Sequence, residues 1–216
     1  MATALNFINR SLNGRLGNVI YYERGGQVFV RRRPVGRRKR PTESQQLWRE
    51  RFRACVMFYN AMDERTLRAI WKKRGTDNRC GLNAFVASSI RAFDRGMSVG
   101  DFGALHCSTG DLWLPAGLSA REESAGRWTL CWDTACRGAH DRETDRLMAA
   151  LVLAGDPFCP RLLENVTGTR ADGRGEIRLP GGLTDDYHLY CFFASADGGN
   201  YSDDRHIRKN PDLCHI

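Results

Sequence analysis

The chain reads NVIYYERGGQVFVR from Asn18 to Arg31, and this stretch sets the architecture of the N-terminal part. It contains two runs of β-branched and aromatic residues, which are typical of strands. The connection between them, residues 23–26, is short and rich enough in glycine to reverse the chain. The pattern therefore predicts a β-hairpin. Gly14 and Gly17, just upstream, indicate a further tight turn or a close approach of the backbone.

A strongly basic segment follows the hairpin. Residues 31–40 read RRRPVGRRKR, which is six arginines, one lysine and no acid in ten positions. Pro34, Gly36 and Pro41 oppose a regular helix here, so we expect an extended arm that the stiff hairpin presents. Because arginine binds phosphate through a planar, bidentate fork, this composition suits contact with a phosphate backbone. A charge run that is merely a solvated surface is the alternative interpretation.

Three helices are predicted after the arm. The first begins after Thr42, which is placed to cap it while Gln45 reaches back, and it extends to about Met62. The second covers about 64–73, and the third covers about 81–93 with a glycine shortly beyond its end. Apolar spacings of three and four predict the buried positions of these helices. They are Trp48, Phe52, Cys55, Val56 and Tyr59, then Leu67, Ile70 and Trp71, and finally Leu82, Phe85, Val86 and Ile90.

The C-terminal part differs in pattern, since it consists of short segments separated by turns that contain glycine, proline and acidic residues. Trp128, Leu130 and Trp132 alternate with Thr129 and Cys131, which is typical of a half-buried strand. Many short strands at such intervals predict a β-sandwich of the immunoglobulin or fibronectin type III kind. Further strands are predicted at 147–153, 161–166, 176–179 and 187–194. A helix over 141–153 is the main alternative, because several of its residues favour one.

The predicted fold class is therefore α+β, with a hairpin-and-helix module at 1–97 and an all-β sandwich domain at 98–216. These two parts differ sharply in charge. The first carries 21 Lys and Arg against 7 Asp and Glu, a net +14, and the second carries 12 against 18, a net −6. Such an asymmetry indicates that the basic half binds a polyanion or an acidic protein surface.

Composition excludes several classes of protein. With 42% hydrophobic and 27% charged residues, the 216-residue chain is neither collagen-like nor wholly disordered. Its longest apolar run, 147–154, is far shorter than the roughly 20 residues of a transmembrane helix. The first ten residues lack the charged start and apolar stretch of a secretory signal. We therefore expect a cytoplasmic protein, or one held within a virion or another large assembly.

Motifs of catalysis and metal binding are missing. The sequence has no phosphate-binding loop, dinucleotide fingerprint, nucleophile elbow or metalloprotease helix, so we expect no enzymatic activity and no cofactor. Cys131, Cys136 and His140 have spacings unlike those of zinc sites, and we expect no bound metal. Residues 185–188 and 203–206 each place acids beside a histidine. Acids in turns that flank strands give the same pattern without any catalytic role.

Several of these residues together resemble the signature of a known family. They are Gly14-x-x-Gly17-Asn18-Val19-x-Tyr21-Tyr22, Gly25-Gly26-Gln27, the 31–34 segment, Pro41-Thr42-x-x-Gln45, Trp71, Asn83-Ala84-Phe85 and the stretch 189–202. The chain resembles an uncharacterised bacterial domain family of about this length. The resemblance implies a hairpin-and-helix head joined to a sandwich. It implies no activity, because the family is a domain of unknown function.

Two functions stay open at this point. The first is a non-enzymatic protein that grips the phosphate backbone of DNA or RNA. Its contact residues would be Arg31, Arg32, Arg33, Arg37, Arg38, Lys39, Arg40, Arg49 and Arg53. Tyr21, Tyr22 and Phe29 are expected to supply the core on one face of the hairpin, with base stacking as their alternative role. The second function is a structural subunit of a virion, tail or filament, a homo-oligomer in which the basic head binds the acidic body of the next copy.

Overall fold

A computed structural model of the protein describes residues 13–24, 26–34, 40–74, 80–181, 183 and 186–208. Its contacts divide the chain into two compact units, Met1–Thr42 and Glu43–Ile216. The first unit contains a small sheet, and the second contains the helices and the sandwich. Of the predicted arm, residues 35–39 lie outside the described part of the chain.

The sheet of the first unit is a three-stranded antiparallel meander of β1 (Gly14–Leu16), β2 (Val19–Arg24) and β3 (Gln27–Arg32). The predicted hairpin is β2–β3, and the predicted upstream turn joins β1 to it. Gly17 lies in that turn with a φ of 58°, a left-handed conformation that glycine adopts without the steric cost of a Cβ. The Arg33 N–H donates to the Asn18 carbonyl at 2.7 Å, so the β2–β3 ladder extends one residue beyond the strands.

The second unit begins with three helices, as predicted. They are α1 (Glu43–Ala61), α2 (Leu67–Arg74) and α3 (Gly81–Ser89). The third is shorter than predicted, because the chain tightens into a 3₁₀ turn at Ile90–Ala92. Among the helices of the described residues, none is both long and apolar enough to cross a lipid bilayer.

Two predicted core positions of α1 are wrong. Trp48 is 45% exposed and Phe52 is 48% exposed, although both lie on the apolar spacing pattern. The buried side chains of α1 are Ala54, Cys55, Phe58 and Tyr59, all in its second half. The hydrophobic core thus covers only the C-terminal turns of this helix. Helical periodicity shows which side of a helix is apolar, but not where along its length the core begins to cover that side.

The predicted sandwich is confirmed as two antiparallel four-stranded sheets. We call them the inner sheet, ordered β11-β10-β6-β7, and the outer sheet, ordered β4-β5-β9-β8. The inner strands are β6 (Arg146–Leu153), β7 (Arg161–Leu162), β10 (Tyr187–Ala194) and β11 (Arg205–Arg208). The outer strands are β4 (Ser119–Ser124), β5 (Arg127–Cys131), β8 (Val166–Thr167) and β9 (Arg174–Arg178).

The inner sheet is the middle layer of the second unit. Every residue of β10 is buried, because both faces of this strand are covered. Leu189 and Phe193 lie in the core between the two sheets, whereas Tyr190 and Phe192 lie in the core shared with the helices, which includes Phe58. The helices therefore share one hydrophobic core with the inner sheet, and the two sheets share another. Whether 1–97 and 98–216 fold as separate domains stays a prediction.

The alternative helix at 141–153 is wrong, since this segment contributes the central strand β6. Its register with β10 pairs Leu147 with Phe193 and Val152 with His188. Like β10, it is buried on both faces, so its sequence lacks the alternation that marks a strand covered on one face only. Strands β4 and β11 were missed because SAREES and RHIR carry too few apolar residues to show an apolar period.

Candidate nucleic-acid interface

The small sheet of the first unit has two faces of different chemistry. Opposed residues of an antiparallel pair point to the same side, and consecutive residues of a strand point to opposite sides. Tyr22 opposes Phe29, and Ile20 opposes both Arg31 and Arg15. These five side chains therefore share one side, which we call the aromatic face.

The opposite side is mainly aliphatic, and we call it the aliphatic face. Its register pairs are Leu16 with Val19, Tyr21 with Val30, Glu23 with Val28, and Val19 with Arg32. Tyr21 and Tyr22, which are adjacent in sequence, consequently serve different surfaces. Of the three predicted stacking residues, the structure brings together Tyr22 and Phe29 and separates Tyr21 from them.

On the aromatic face, Tyr22 and Phe29 form a stacked pair. Their ring centroids are 5.6 Å apart and their planes are inclined by 21°. The guanidinium carbon of Arg31 lies 5.8 Å from the centroid of the Tyr22 ring, which is within the range of a cation–π contact. Both rings are half-buried, so part of each ring surface is accessible. Two aromatic rings and a cation thus form one continuous surface.

Three consecutive predicted contact residues, Arg31, Arg32 and Arg33, are exposed at the end of β3, and Arg40 is exposed as well. Within the described residues, no ion pair joins any of these four arginines to an acid. Glu23 is the single acid described in the first unit, and it lies on the aliphatic face. Among the described residues, the charges of these four arginines are therefore not neutralised by an acid of the chain.

Arginines of the second unit behave differently, because many of them pair with local acids. Arg51 contacts Asp94 at 3.3 Å, and Arg127 contacts Glu176 at 3.0 Å. Glu176 also meets Arg178 at 3.5 Å. The two units thus differ in pairing, because the four arginines of the first unit have no acid partner among the described residues, whereas these arginines of the second unit do.

The other predicted contact residues lie elsewhere. Arg49 and Arg53 are exposed one turn apart on α1, in the second unit, where Trp48 and Phe52 are also exposed. Arg37, Arg38 and Lys39 lie outside the described residues. Sequence reasoning missed Arg15, which β1 adds to the aromatic face. The signal was present in the Gly14-x-x-Gly17 turn, because a reversal there pairs Arg15 with the hairpin.

Both segments with acids beside histidines contact other residues of the second unit. Asp204 accepts hydrogen bonds from the backbone N–H of Cys107 and Ser108, and its other oxygen lies 2.8 Å from His106 Nδ1. That contact raises the pKa of His106. His188 Nδ1 and His206 Nε2 are 2.9 Å apart beside a cavity of about 450 Å³. Asp185 lies outside the described residues.

Burial, followed by the charges of His206 and Arg208, lowers the pKa of His188 to about 4. Burial likewise lowers the pKa of His206. Both imidazoles are therefore uncharged at neutral pH, and one of the two facing nitrogens donates a hydrogen bond to the other. Among the residues that the structure describes, no group of three or more His, Cys, Asp or Glu is arranged to hold a metal ion.

Comparisons with known proteins identify the family. A solution structure of the fn3 domain of human contactin 1 aligns with 49% of this chain and 87% of that chain, at 9% identity and a TM-score of 0.29. At that score the likeness carries no weight, and the sandwich is established by its own two sheets. No curated protein matches the sequence. The predicted resemblance to a family of unknown function is confirmed, since a family profile matches residues 11–207. The chain belongs to the Family of unknown function (DUF6266).

Proposed function

We propose that this chain is a non-enzymatic nucleic-acid-binding protein that grips the phosphate backbone through its Arg-rich arm, residues 31–40. The observation that carries the proposal is the exposed run Arg31–Arg33, which no acid of the described residues neutralises. The proposed place of action is the cytoplasm, or the interior of a virion or another large assembly.

The position of the run supports this function. Arg31 and Arg32 are the last residues of β3, and the Arg33 N–H is held by Asn18 of the neighbouring strand. The sheet thus fixes the backbone of three consecutive arginines at one strand end, so little backbone entropy is lost when they meet a polyanion. Since each phosphate contact releases a condensed counterion, affinity should come mainly from charge and depend steeply on salt.

The test is the salt dependence of binding to a duplex of mixed sequence. If the arm neutralises about six phosphates, the logarithm of the binding constant should fall against the logarithm of salt concentration with a slope near −5. Replacing Arg31, Arg32 and Arg33 together by glutamine should make the slope shallower by about 3, because each lost phosphate contact removes about 0.9. Fluorescence anisotropy over a salt series measures both slopes.

A matched control removes the same charge from paired positions. Arg127, Arg174 and Arg178 lie on the outer sheet beside Glu176 or Glu123. Changing these three to glutamine alters net charge equally and should leave the salt slope unchanged. Binding that is equally strong at low and high salt would remove the proposal, as would identical slopes for the two triple variants.

A structural subunit of a virion, tail or filament is the second candidate. Its supporting observation is the exposure of large apolar side chains on α1, where Trp48, Phe52 and Met57 are 45%, 48% and 44% exposed. Aromatic residues and methionine are enriched in protein–protein interfaces. Sedimentation of nuclease-treated protein separates the two candidates. Large assemblies that survive nuclease support the subunit, whereas a monomer that loses its nucleic acid supports the binding protein.

A further inference from the structure

We infer that the aromatic face is a site for single-stranded nucleic acid, whose bases stack on Tyr22 and Phe29 while the arm contacts phosphates of single or double strands alike. The inference rests on the proposed function and deepens it by naming the ligand class. Its physical basis is that aromatic rings on a sheet surface offer π-faces, which bases can meet only when they are not stacked inside a duplex.

Ring geometry is the first support. Tyr22 and Phe29 oppose each other across β2 and β3, with centroids 5.6 Å apart and an interplanar angle of 21°. Rings so nearly parallel form a short stack that a flat base can extend. Because every base has a π-face, such a surface accepts a strand with little regard to its sequence.

Charge on the same face is the second support. Arg31 contacts the Tyr22 ring, and Arg15 projects from β1 on the same side. Glu23, the acid described in the first unit, is on the aliphatic face, so its negative charge does not repel a phosphate on the aromatic face. A strand whose bases lie on the rings therefore has cations within reach of its backbone, which is the combination that single-strand binders use.

The chemistry of the opposite face is the third support. Antiparallel sheets commonly bury one side and expose the other. Leu16, Val19, Val28 and Val30 give the aliphatic face the composition that sheets usually bury, although here Leu16 is 61% exposed and the three valines are half-buried. Within the described strands, Ile20 is the one aliphatic residue of the aromatic face, among rings and cations. The composition of the aromatic face is therefore that of a ligand surface.

The first test uses the unaltered full-length chain with three ligands: a twelve-nucleotide deoxythymidine strand, an abasic strand of equal length, and a twelve-base-pair duplex. Stacking of even one base predicts that the thymidine strand binds about 10-fold more tightly than the abasic strand at equal salt. Equal affinities for the two single strands would overturn the inference while leaving the proposed function intact. Failure of all three ligands to bind would instead overturn the proposed function.

The second test compares two tyrosines on one strand. Tyr22→Val removes a ring from the aromatic face, and Tyr21→Val removes the same ring from the aliphatic face while keeping a residue that favours strands. We expect Tyr22→Val to weaken binding of the thymidine strand about 10-fold and to leave duplex binding unchanged. Tyr21→Val should change neither by more than about 2-fold. Equal losses in the two variants would contradict the inference.

Discussion

Replacing Arg170 by alanine should lower the free energy of unfolding by about 3–5 kcal/mol, because it strips two buried carboxylates of their cation. Arg170 is fully buried, and its Nε donates to Asp145 Oδ2 at 3.1 Å. Its Nη2 lies 3.7 Å from Asp141 Oδ1 and donates to the Trp113 carbonyl at 2.9 Å. Urea unfolding followed by tryptophan fluorescence measures the loss.

The carboxylates cannot simply turn to water once the arginine is gone. Asp141 is buried and receives the backbone N–H groups of Trp113, Arg137 and Gly138, so it is held in place. Burial by itself would raise the pKa of Asp141. Together, those N–H groups and the Arg170 charge lower this pKa by a larger amount, so the net shift is downward. Asp141 therefore keeps its charge at neutral pH, and the variant would leave that charge in the interior without a counterion.

Arg174→Ala is the matched control. Arg174 also pairs with a carboxylate, Glu123 at 3.5 Å, but both side chains are largely exposed. An exposed pair contributes about 0–1 kcal/mol, since solvent screens it. If Arg170→Ala costs no more than Arg174→Ala, the buried cluster does not stabilise the sandwich in the way we describe.

The second large effect is a loss of stability in mild acid that depends on His188. Burial holds the pKa of His188 near 4, against an ordinary value of 6.5. The unfolded chain therefore takes up this proton at a higher pH than the folded chain does. The stability due to neutral His188 is fully present above about pH 6.5 and is lost as the pH falls toward 4. Linkage gives a loss of about 2 kcal/mol between pH 7.5 and pH 5.

His188→Gln is the variant that isolates this effect. Glutamine does not titrate, yet it can still hydrogen-bond to His206, so the fall in unfolding free energy between pH 7.5 and pH 5 should be about 2 kcal/mol smaller than in the unaltered chain. The comparison is made against the unaltered chain because His106, whose pKa is raised by Asp204, contributes in the opposite direction.

The exposed His140 serves as the control position. His140→Gln makes the same exchange at an exposed position, and the profile of His188→Gln is compared with it. Identical profiles for His188→Gln and the unaltered chain would show that His188 does not resist protonation in the folded state.

Much of this fold is visible in local patterns. The glycine-bounded β-branched runs at 18–31 predict the hairpin, and apolar spacings predict α2 with its buried Leu67, Ile70 and Trp71. Alternation at 128–132 predicts β5. The two faces of the hairpin also follow from alternation along β2, which places Tyr21 and Tyr22 on opposite sides. Each of these features depends on residues within a few positions of one another.

Other features depend on partners that are distant in sequence. Local spacing places Trp48 and Phe52 on an apolar stripe, but the core covers only the second half of α1. The composition of residues 141–153 also favours a helix. Pairing with β10, with both faces covered, is what makes residues 146–153 a strand. Local patterns show which side of an element is apolar, and they do not show what covers that side.

Periodicity and charge in the chain specify the hairpin, the three helices, and the basic character of the first unit, because each follows from neighbouring residues. Nothing in the sequence distinguishes Arg170 from the exposed arginines, or His188 from His140. Their burial and their partners exist only once the sheets and loops have assembled. Solvent exclusion and charge pairing act between residues far apart along the chain, and these are the forces that give Arg170 its buried carboxylates and keep His188 uncharged.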